Sequence, residues 1–507
     1  MTSKTGLLTA VHLANITSTL AATRKYALGT LYVQLHPKFT DKTRVTAFDK
    51  FIASVYQSSP LELGAGVDLR FIVSSLKTND FRSINRKIDF LFFDYPIATC
   101  GNSSDLPPLY NESQIIELTG KPFSIDVSGL SEPTQTYKNV VLGGTFDRLH
   151  VGHKVLLTQA VLLAEERLIV GVTDENMTKS KKLWELIMPV EKRIAEVREF
   201  LEEIDSTLKY EIVPISDPFG PTATDPNMDM IVVSTETARG GAKVNELRLK
   251  NGLNQLQVYV IDLLDEELTI DDKEDKISSS NRRMDLLGTR LKQRTPKPHL
   301  SPKPYIIGLV GGVAAGKSKM TERFQKLGAG VIDCDKIAHE LYEPGEDCYQ
   351  AVLNNFGVGI LNEDKTINRK ALGEIVFSDP DKLDLLNAIL WDAILERAKE
   401  RIAFLHGKQH KQIIIMEAAV LLKAGWQTAC HEIWSCIIPK EEAVKRLFER
   451  NGLNEEEALK RIQAQISNTE LVRQSDVVFC TAWSQEYSQM QAEKIWATLQ
   501  EELKLKL

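Results

Sequence analysis

Short apolar runs, rich in Val and Ile, alternate with longer stretches of helical periodicity along most of this 507-residue chain. Strands that are apolar on both faces are typical of parallel sheets covered by helices on each side. The runs fall into two sets, at residues 140–142, 168–172, 212–215, 231–234 and 258–263, and at residues 306–310, 331–333, 413–416 and 433–438. The alternation predicts the α/β class, with two successive parallel-sheet domains.

Two stretches that disfavour regular structure divide the chain. Residues 291–304 contain prolines at positions 296, 298, 302 and 304, which interrupt helices and favour extended chain. Polar, turn-forming residues occupy positions 126–138. We therefore distinguish an N-terminal region (1–134), a first α/β domain (135–292), a proline-rich linker (293–304) and a second α/β domain (305–507), and we find no internal repeat.

Charge and cysteine content argue against several classes of protein. The 62 Lys and Arg residues stand against 69 Asp and Glu residues, a formal charge of -7, so no general basic field attracts polyanions and no nucleic-acid partner is expected. The six cysteines form no C-x-x-C pair, which favours a reducing compartment. No apolar run approaches the roughly 20 residues that span a bilayer.

The first α/β domain opens with a strand, a glycine turn and the start of a helix, over residues 140–153. Gly143 and Gly144 allow the backbone to approach a phosphate closely, and the helix N-terminus supplies amide groups. His150 and His153 share one face of that helix. These features suit the triphosphate of ATP, although two histidines alone would equally well pack or cap the helix.

Two further groups of residues strengthen the nucleotide-site hypothesis. A basic turn follows the next strand, and residues 277–280 read Ile-Ser-Ser-Ser ahead of two arginines. The stretch GGTFDRLHVGH, together with this serine element, resembles the HxGH nucleotidyltransferases, specifically phosphopantetheine adenylyltransferase in its eukaryotic form. The resemblance also covers residues 217–221 and 234–241. The residues it implies for binding ATP and substrate are Gly143, Gly144, Thr145, Lys179, Lys181, Arg239, Ser278, Ser279, Ser280, Arg282 and Arg283.

The resemblance implies a division of roles among these residues. Thr145 and Lys181 would orient the phosphate of 4′-phosphopantetheine as it attacks the α-phosphorus of ATP, and His153 would contact the transition state. His150, Ser279 and Arg283 would bind the departing pyrophosphate with Mg²⁺. Lys179 or Lys182 remains an alternative to Lys181, and Arg282 remains an alternative to Arg283.

The second α/β domain begins with a strand followed by a phosphate-binding loop. The loop matches G-x-x-x-x-G-K-[ST], the motif whose amides hold nucleotide phosphates, whose Lys reaches the β- and γ-phosphates and whose Ser binds Mg²⁺. Lys317 and Ser318 are the last two residues of that motif. The predicted ATP-binding residues are Gly311, Gly312, Val313, Ala314, Ala315, Gly316, Lys317 and Ser318.

The stretch GVIDCDKIAHELYEPG, with the EAAVLL segment at Glu417, resembles dephospho-CoA kinase across residues 305–483. The resemblance implies that Asp335 accepts the proton of the ribose 3′-hydroxyl, with helix capping as the alternative for this side chain. It implies that Arg446 and Arg450 close over the phosphates and that Glu417 holds Mg²⁺ through water. Two departures from bacterial relatives are Trp391-Asp392 in place of His-Pro, and His339 in place of an arginine.

The two resemblances concern consecutive reactions, and they stand in reaction order. The chain therefore resembles the bifunctional coenzyme A synthases, which implies ATP, 4′-phosphopantetheine, dephospho-CoA and CoA as ligands and Mg²⁺ as cofactor. The alternatives are a fusion with only one active site and a CoA-sensing scaffold. A class I aminoacyl-tRNA synthetase, which also uses HxGH, fits poorly because such enzymes carry a KMSKS-type loop.

The N-terminal region carries no chemical motif. Apolar runs at 31–35, 69–73 and 88–93 suggest a small α/β domain or an irregular region. The first acidic residue is Asp41, after four basic residues, so the first 40 residues resemble a mitochondrial targeting or membrane-surface segment, or else a frayed terminus. We expect a location in the cytoplasm, at the mitochondrial outer surface or in the matrix. We also expect a chain beginning near Glu132 to keep both activities, unless residues 1–134 are an integral packed subdomain.

Overall fold

The computed structural model describes residues 3–37, 42–64, 66–78, 80–81, 84–99, 112–119, 121, 130–261 and 278–504. These residues fall into two compact units, Met1–Arg282 and Arg283–Leu507. Their strands form three five-stranded parallel sheets. The strands are β1 (Lys4–Ala10), β2 (Leu28–Leu35), β3 (Asp68–Phe71), β4 (Phe90–Phe93), β5 (Gln114–Glu117), β6 (Tyr137–Gly144), β7 (Ala164–Thr173), β8 (Lys209–Ile215), β9 (Met230–Ser234), β10 (Gln257–Ile261), β11 (Tyr305–Gly311), β12 (Gly330–Asp333), β13 (Ile413–Glu417), β14 (Glu432–Ile437) and β15 (Val477–Cys480).

Most consecutive strands within each sheet are joined by α-helices, as crossovers between parallel strands usually are. None in the described part of the chain is long and apolar enough to cross a membrane. The helices are α1 (Ile16–Thr23), α2 (Asp49–Leu63), α3 (Ser74–Thr78), α4 (Val151–Leu163), α5 (Val190–Ile204), α6 (Ala238–Lys250), α7 (Ser279–Leu286), α8 (Lys317–Lys326), α9 (Cys334–Leu341), α10 (Tyr349–Phe356), α11 (Arg369–Ser378), α12 (Pro380–Gln409), α13 (Lys440–Asn451), α14 (Glu455–Gln463), α15 (Asn468–Gln474) and α16 (Gln485–Glu502).

The first unit contains two sheets with the same topology. The N-terminal sheet has the strand order β3-β2-β1-β4-β5, and the next sheet has the order β8-β7-β6-β9-β10. In each sheet the first strand is central. The next two strands are added on one side of it and the last two on the other side, as in doubly wound nucleotide-binding folds. The unit is thus an internal structural repeat. This repeat was not predicted, because the two halves share a strand order and not a sequence motif.

The first described strand is an integral part of the N-terminal sheet. β1 lies at the centre of the N-terminal sheet, pairs with β2 and β4, and buries Leu7 and Leu8 completely. A strand paired on both sides cannot leave without opening the sheet, because its backbone groups would lose their partners. Residues 4–10 are therefore part of the folded sheet, and the targeting or membrane-surface role of the first 40 residues stays a prediction.

The N-terminal domain (residues 3–121) and the sheet that follows it share one hydrophobic core. Tyr56 and Phe71 of the N-terminal domain belong to the same buried cluster as Leu157 and Phe200 of the first α/β domain. Polar contacts cross the same boundary, including Tyr32 Oη to Glu203 Oε2 at 2.6 Å. The structure therefore favours the integral packed subdomain over a dispensable N-terminal region.

We expect removal of residues 1–134 to inactivate the first unit. Each large apolar side chain exposed by the deletion costs about 1.5–3 kcal/mol, and several together exceed the roughly 5–15 kcal/mol that stabilises a domain. Residues 135–507 should be insoluble or lack the chemistry of the first unit, whereas residues 283–507 should fold alone. Size-exclusion chromatography and activity assays of both fragments test this. A soluble, fully active 135–507 fragment would restore the dispensable-region hypothesis.

The second unit contains the sheet β12-β13-β11-β14-β15 and the segment that precedes it. The segment predicted as a linker packs onto this unit: Leu291 N donates to Asp476 O at 2.7 Å, and Lys297 Nζ donates to Cys430 O at 2.6 Å. The two compact units thus divide between Arg282 and Arg283, and the segment predicted as a linker contacts the second unit. The sequence-based strand prediction also missed β15, a run of only four residues that pairs with β14.

Candidate active sites

The first site lies at the carboxyl end of β6, the central strand of its sheet. A Cβ atom on Gly144 would lie 2.9 Å from the ring of Phe146, so only glycine leaves this backbone bare. Phe146 has φ of 50°, in the left-handed region, and its fully buried ring folds back over the turn. A Cβ atom on Gly143 would lie 3.6 Å from Gly171 O, which is an ordinary contact distance. The turn therefore exposes backbone amides where a phosphate would bind.

His150 and His153 form a stacked pair at the start of α4. Their ring centroids are 3.8 Å apart, and the ring planes differ by 27°. His150 is the N-cap residue, but its side chain makes no capping hydrogen bond, and its Nε2 lies 3.4 Å from Ser279 Oγ. Both Nδ1 atoms are buried and lack a hydrogen-bond partner among the described residues. The structure therefore brings together three of the predicted site residues.

Both imidazoles are neutral at physiological pH. Burial lowers the pKa of His150 well below its usual value, and the neighbouring His153 lowers it further. Burial also lowers the pKa of His153 to about 3, with a further contribution from the cation of Lys181. A neutral imidazole acts as a hydrogen-bond donor toward a phosphoryl oxygen, and not as a fixed positive charge.

Two cations lie close enough to these rings to affect their ionisation. Lys181 acts on His153, and Arg282 acts on His150. Lys181 and Arg282 are exposed, whereas Arg283 is buried and belongs to the second unit. Arg282, the alternative in the sequence analysis, thus lies within electrostatic reach of His150. The choice between Arg282 and Arg283 stays a prediction.

The remaining predicted residues lie in turns or in the first turns of helices of the first unit. Lys179 is exposed on the same turn as Lys181, and Lys182 is partly exposed. Arg239 is exposed in the first turn of α6, which follows β9. Ser278 Oγ accepts from Asn281 N at 3.2 Å, which orders the start of α7, where Ser280 also lies. Ile277 falls outside the described residues.

Residues that hold the turn in place were not predicted from the sequence. Arg193 is 1% exposed and donates from Nη1 to Thr145 O at 2.7 Å, while Thr145 Oγ1 accepts from Thr173 Oγ1 at 3.1 Å. Asp147 is fully buried, accepts from Met188 N at 3.1 Å, and its carbonyl accepts from Ser279 Oγ. The available signal was an arginine within the apolar stripe of α5, where an unpaired charge would be costly.

The second site is the loop between β11 and α8. Gly316 has φ of 79°, and a Cβ atom there would lie 2.8 Å from Thr481 Oγ1. Ala314 also takes a left-handed conformation, with φ of 59°. Lys317 Nζ donates to Gly311 O at 3.0 Å and to Gly312 O at 3.3 Å, so its ammonium group lies across the loop. Val313 N donates to Gln465 Oε1 at 2.6 Å, a contact the predicted site residues did not include.

Oxygen atoms suited to Mg²⁺ lie beside this loop. Glu417 ends β13 and is 7% exposed, and its carboxylate accepts from Ser318 Oγ at 2.9 Å and from Thr321 Oγ1 at 2.8 Å. Hydroxyl and carboxylate oxygens are the ligands that Mg²⁺ prefers, and the ion usually retains several waters. These residues fit the ion: Ser318 would supply a hydroxyl oxygen, and Glu417 would supply a carboxylate directly or through water. When bound, Mg²⁺ would neutralise developing phosphate charge.

Asp335 and Asp333 have different surroundings. Asp333 is the N-cap of α9, and its carboxylate accepts from Lys336 N at 3.0 Å. Asp335 lies in the first turn of α9 and makes no cap, so the capping alternative applies to Asp333. Local burial raises the pKa of Asp335 despite the opposing cation of Lys317, and Asp333 raises it further. The carboxyl of Asp335 thus lies within electrostatic reach of the phosphate-binding lysine.

The two arginines expected to close over the phosphates, Arg446 and Arg450, make different contacts. Arg446 donates to Ala314 O at 3.1 Å and to Thr481 Oγ1 at 2.9 Å, so it already holds the phosphate-binding loop. Arg450 is exposed and bonds only to its neighbour Asn451 among the contacts described, at 3.3 Å. His339 is neutral because burial and the cation of Arg369 lower its pKa. His339 therefore does not replace the charge of the bacterial arginine.

Comparison with known proteins supports the same division of the chain. Residues 305–484 match the family model for dephospho-CoA kinase, and residues 141–285 match the model for cytidylyltransferase-like proteins. The dephospho-CoA kinase of Carboxydothermus hydrogenoformans is 40% identical over 37% of this chain and 90% of its own length. That of Geobacter sulfurreducens is 37% identical over 38% of this chain and 97% of its own length. The solved dephospho-CoA kinase of Campylobacter jejuni is 25% identical over 39% of this chain and 98% of its own length, with a TM-score of 0.32.

Proposed function

Because the chain belongs to the dephospho-CoA kinase family through residues 305–484 and carries a cytidylyltransferase-like domain before them, we propose that it catalyses the last two reactions of coenzyme A biosynthesis. The first unit joins ATP and 4′-phosphopantetheine to give dephospho-CoA and pyrophosphate. The second unit phosphorylates dephospho-CoA with ATP to give CoA and ADP. The observation that carries the proposal is the presence of two separate phosphate-binding turns, each on the central strand of its own sheet.

Adenylyl transfer at the first site needs no nucleophilic side chain. The phosphate oxygen of 4′-phosphopantetheine forms a bond to the α-phosphorus of ATP, and the bond from that phosphorus to the bridging oxygen of pyrophosphate breaks. His153 donates a hydrogen bond to the α-phosphoryl oxygens, because its ring is neutral and keeps an N–H group. Lys181 and Arg282 supply the positive charge that the neutral histidines lack.

Phosphoryl transfer at the second site requires removal of one proton. The ribose 3′-hydroxyl of dephospho-CoA attacks the γ-phosphorus of ATP, Asp335 accepts the hydroxyl proton, and ADP leaves. Lys317 lies across the loop that would hold the β- and γ-phosphates. Its ammonium group is therefore placed to neutralise the charge that the leaving ADP develops.

Product analysis tests both halves of the proposal. Purified chain is incubated with Mg²⁺, 4′-phosphopantetheine and either ATP or CTP, and the products are separated by chromatography. We expect dephospho-CoA and pyrophosphate, then CoA and ADP, with ATP. A pantetheine product formed with CTP alone would reassign the first unit to cytidylyl transfer. Absence of any nucleotide product from dephospho-CoA and ATP would contradict the kinase assignment.

We expect Asp335→Asn to lower kinase turnover by about 10²–10⁴-fold, the usual size of general-base catalysis. Because the pKa of Asp335 is raised, the wild-type rate should fall as pH decreases at a higher pH than for an ordinary carboxylate. That acid limb should disappear in the variant. Kinase rates between pH 5 and 8 test this, with Asp333→Asn as the matched control for turnover, since asparagine keeps the cap. Because Asp333 raises the pKa of Asp335, the acid limb should persist in this control but move to lower pH. Near-normal turnover in Asp335→Asn would move the base to another group.

A further inference from the structure

Helix α4, which carries His153 and follows His150, is buried along most of its length. Every residue from Lys154 to Leu163 is buried. A helix on the surface of its own domain exposes one face, so another part of the chain covers the outer face of α4. That cover is the N-terminal domain, through α2, α3 and the start of β3.

The N-terminal domain holds the first turn of α4 through one ion pair. Lys154, the residue after His153, donates from Nζ to Asp68 Oδ1 and, at 3.1 Å, to Leu69 O. Asp68 also accepts from Arg70 Nε at 2.8 Å. Burial opposes ionisation of Asp68, but Lys154 and Arg70 outweigh it and lower its pKa. The carboxylate is therefore charged and fixed from two sides.

The same domain holds the middle and the end of α4. Thr158 Oγ1 donates to Tyr56 Oη at 3.3 Å, and Gln159 Nε2 donates to Asp49 O at 2.7 Å. Lys77 Nζ donates to Val161 O at 2.8 Å, as well as to Ala164 O. A lysine at these carbonyls satisfies the free end of the helix and complements its dipole. The helix is thus fixed to the N-terminal domain at its beginning, middle and end.

The N-terminal domain has the topology of a nucleotide-binding sheet, but its own phosphate position is closed. Asp94, which follows β4, accepts from Val11 N and from His12 N, both at 2.9 Å. These two amides follow β1, the central strand of the N-terminal sheet. They are equivalent in topology to the amides that follow β6 at the first active site. Asp94 is fully buried. A carboxylate of the chain therefore already occupies the anion position, so the domain is unsuited to nucleotide binding.

We propose that the N-terminal domain is a positioning domain for adenylyl transfer, and that Asp68 acts through Lys154 to fix the histidine pair. This inference rests on the adenylyl transfer proposed above. Asp68 touches neither histidine and is a positioning residue. Displacement of a reacting group by about 1 Å can reduce a rate by roughly 10²-fold. Loss of the Asp68 carboxylate should therefore lower turnover more than substrate binding.

The test compares Asp68→Asn with variants of the same interface. We expect Asp68→Asn to lower kcat for dephospho-CoA formation by about 10- to 100-fold, with KM for ATP changed by less than about threefold. Asp68→Glu, which keeps the carboxylate, should restore most of the rate. The matched control is Arg86→Gln, because Arg86 pairs with Glu199 and Glu203 of α5 and leaves α4 untouched. Kinase turnover of each chain serves as an internal reference and should not change.

Three outcomes would overturn the proposal. They are a kcat for Asp68→Asn within twofold of wild type, an equal loss in Arg86→Gln, and a failure of Asp68→Glu to recover. If Asp68→Asn unfolds the first unit, Lys154→Met decides, since methionine keeps an unbranched side chain but cannot donate to Asp68, and an unchanged kcat there overturns the proposal.

A second measurement separates this inference from the proposed function. NMR of imidazole-labelled protein, with His150 and His153 assigned by substitution, should show both rings shifted in Asp68→Asn and unshifted in Arg86→Gln. If the wild-type chain forms no dephospho-CoA, the proposed function fails, and the ring signals alone decide the positioning role. Unshifted rings in Asp68→Asn would then overturn it.

Discussion

Lys317→Ala is expected to stop the two-step reaction at dephospho-CoA. The ammonium group of Lys317 lies across the loop through its bonds to Gly311 O and Gly312 O, and alanine leaves the γ-phosphate without that cation. Loss of one preorganised electrostatic contact usually reduces a rate by about 10²–10³-fold. Kinase turnover should fall by at least this factor, while dephospho-CoA formation from 4′-phosphopantetheine should keep its wild-type rate. Chromatography of the products over time measures both.

The matched control for this variant is Lys319→Ala. Lys319 lies two residues further along α8, is exposed, and contributes only its backbone carbonyl to the hydrogen bond from Arg323. The Lys319→Ala substitution removes the same charge and side chain as Lys317→Ala but does not alter the phosphate-binding loop, so both activities should persist. If Lys317→Ala also lost dephospho-CoA formation while remaining folded, the two sites would not be independent. An active kinase in Lys317→Ala would place the phosphate contact elsewhere.

The sequence predicted the parts of the fold that depend on local pattern. The buried strands β6–β9 and β11–β14 were all predicted, because parallel strands covered on both faces are continuous apolar runs. Both glycine turns were predicted for a similar reason, since glycines directly after an apolar run are recognisable in the sequence. β15 was missed because four apolar residues do not distinguish a strand from part of a helix.

The parts that the sequence did not predict depend on long-range contacts. The pairing of β1 with β2 and β4, the latter about 80 residues away in the chain, was not predicted, because composition alone cannot show the partners of a strand. Arg282 and Arg283 are adjacent in sequence, and only the direction of α7 shows that Arg282 is exposed and Arg283 is buried. The support of α4 by Asp68 spans 86 positions and involves ordinary residue types. Such a contact leaves no motif.

The role of neutral histidines also separates this site from one built on fixed charges. At pH 6 an ordinary histidine, with a pKa near 6.5, is mostly protonated. With a pKa of about 3, His153 stays neutral over the whole range from pH 8 to pH 6. Its contribution to adenylyl transfer should therefore be independent of pH across that range. A cationic contribution would grow as the pH decreased.

His153→Ala is accordingly expected to reduce dephospho-CoA formation by about 10²–10³-fold and to leave the kinase active on supplied dephospho-CoA. His153→Asn keeps an N–H donor and should retain more activity than alanine. The ratio of wild-type to His153→Asn rates, measured from pH 6 to 8, cancels the ionisation of the substrate phosphate. A constant ratio would support the neutral donor. A ratio that rises toward pH 6 would mean that His153 acts as a cation. Lys181 and Arg282 would then no longer be needed to explain how the site neutralises the triphosphate.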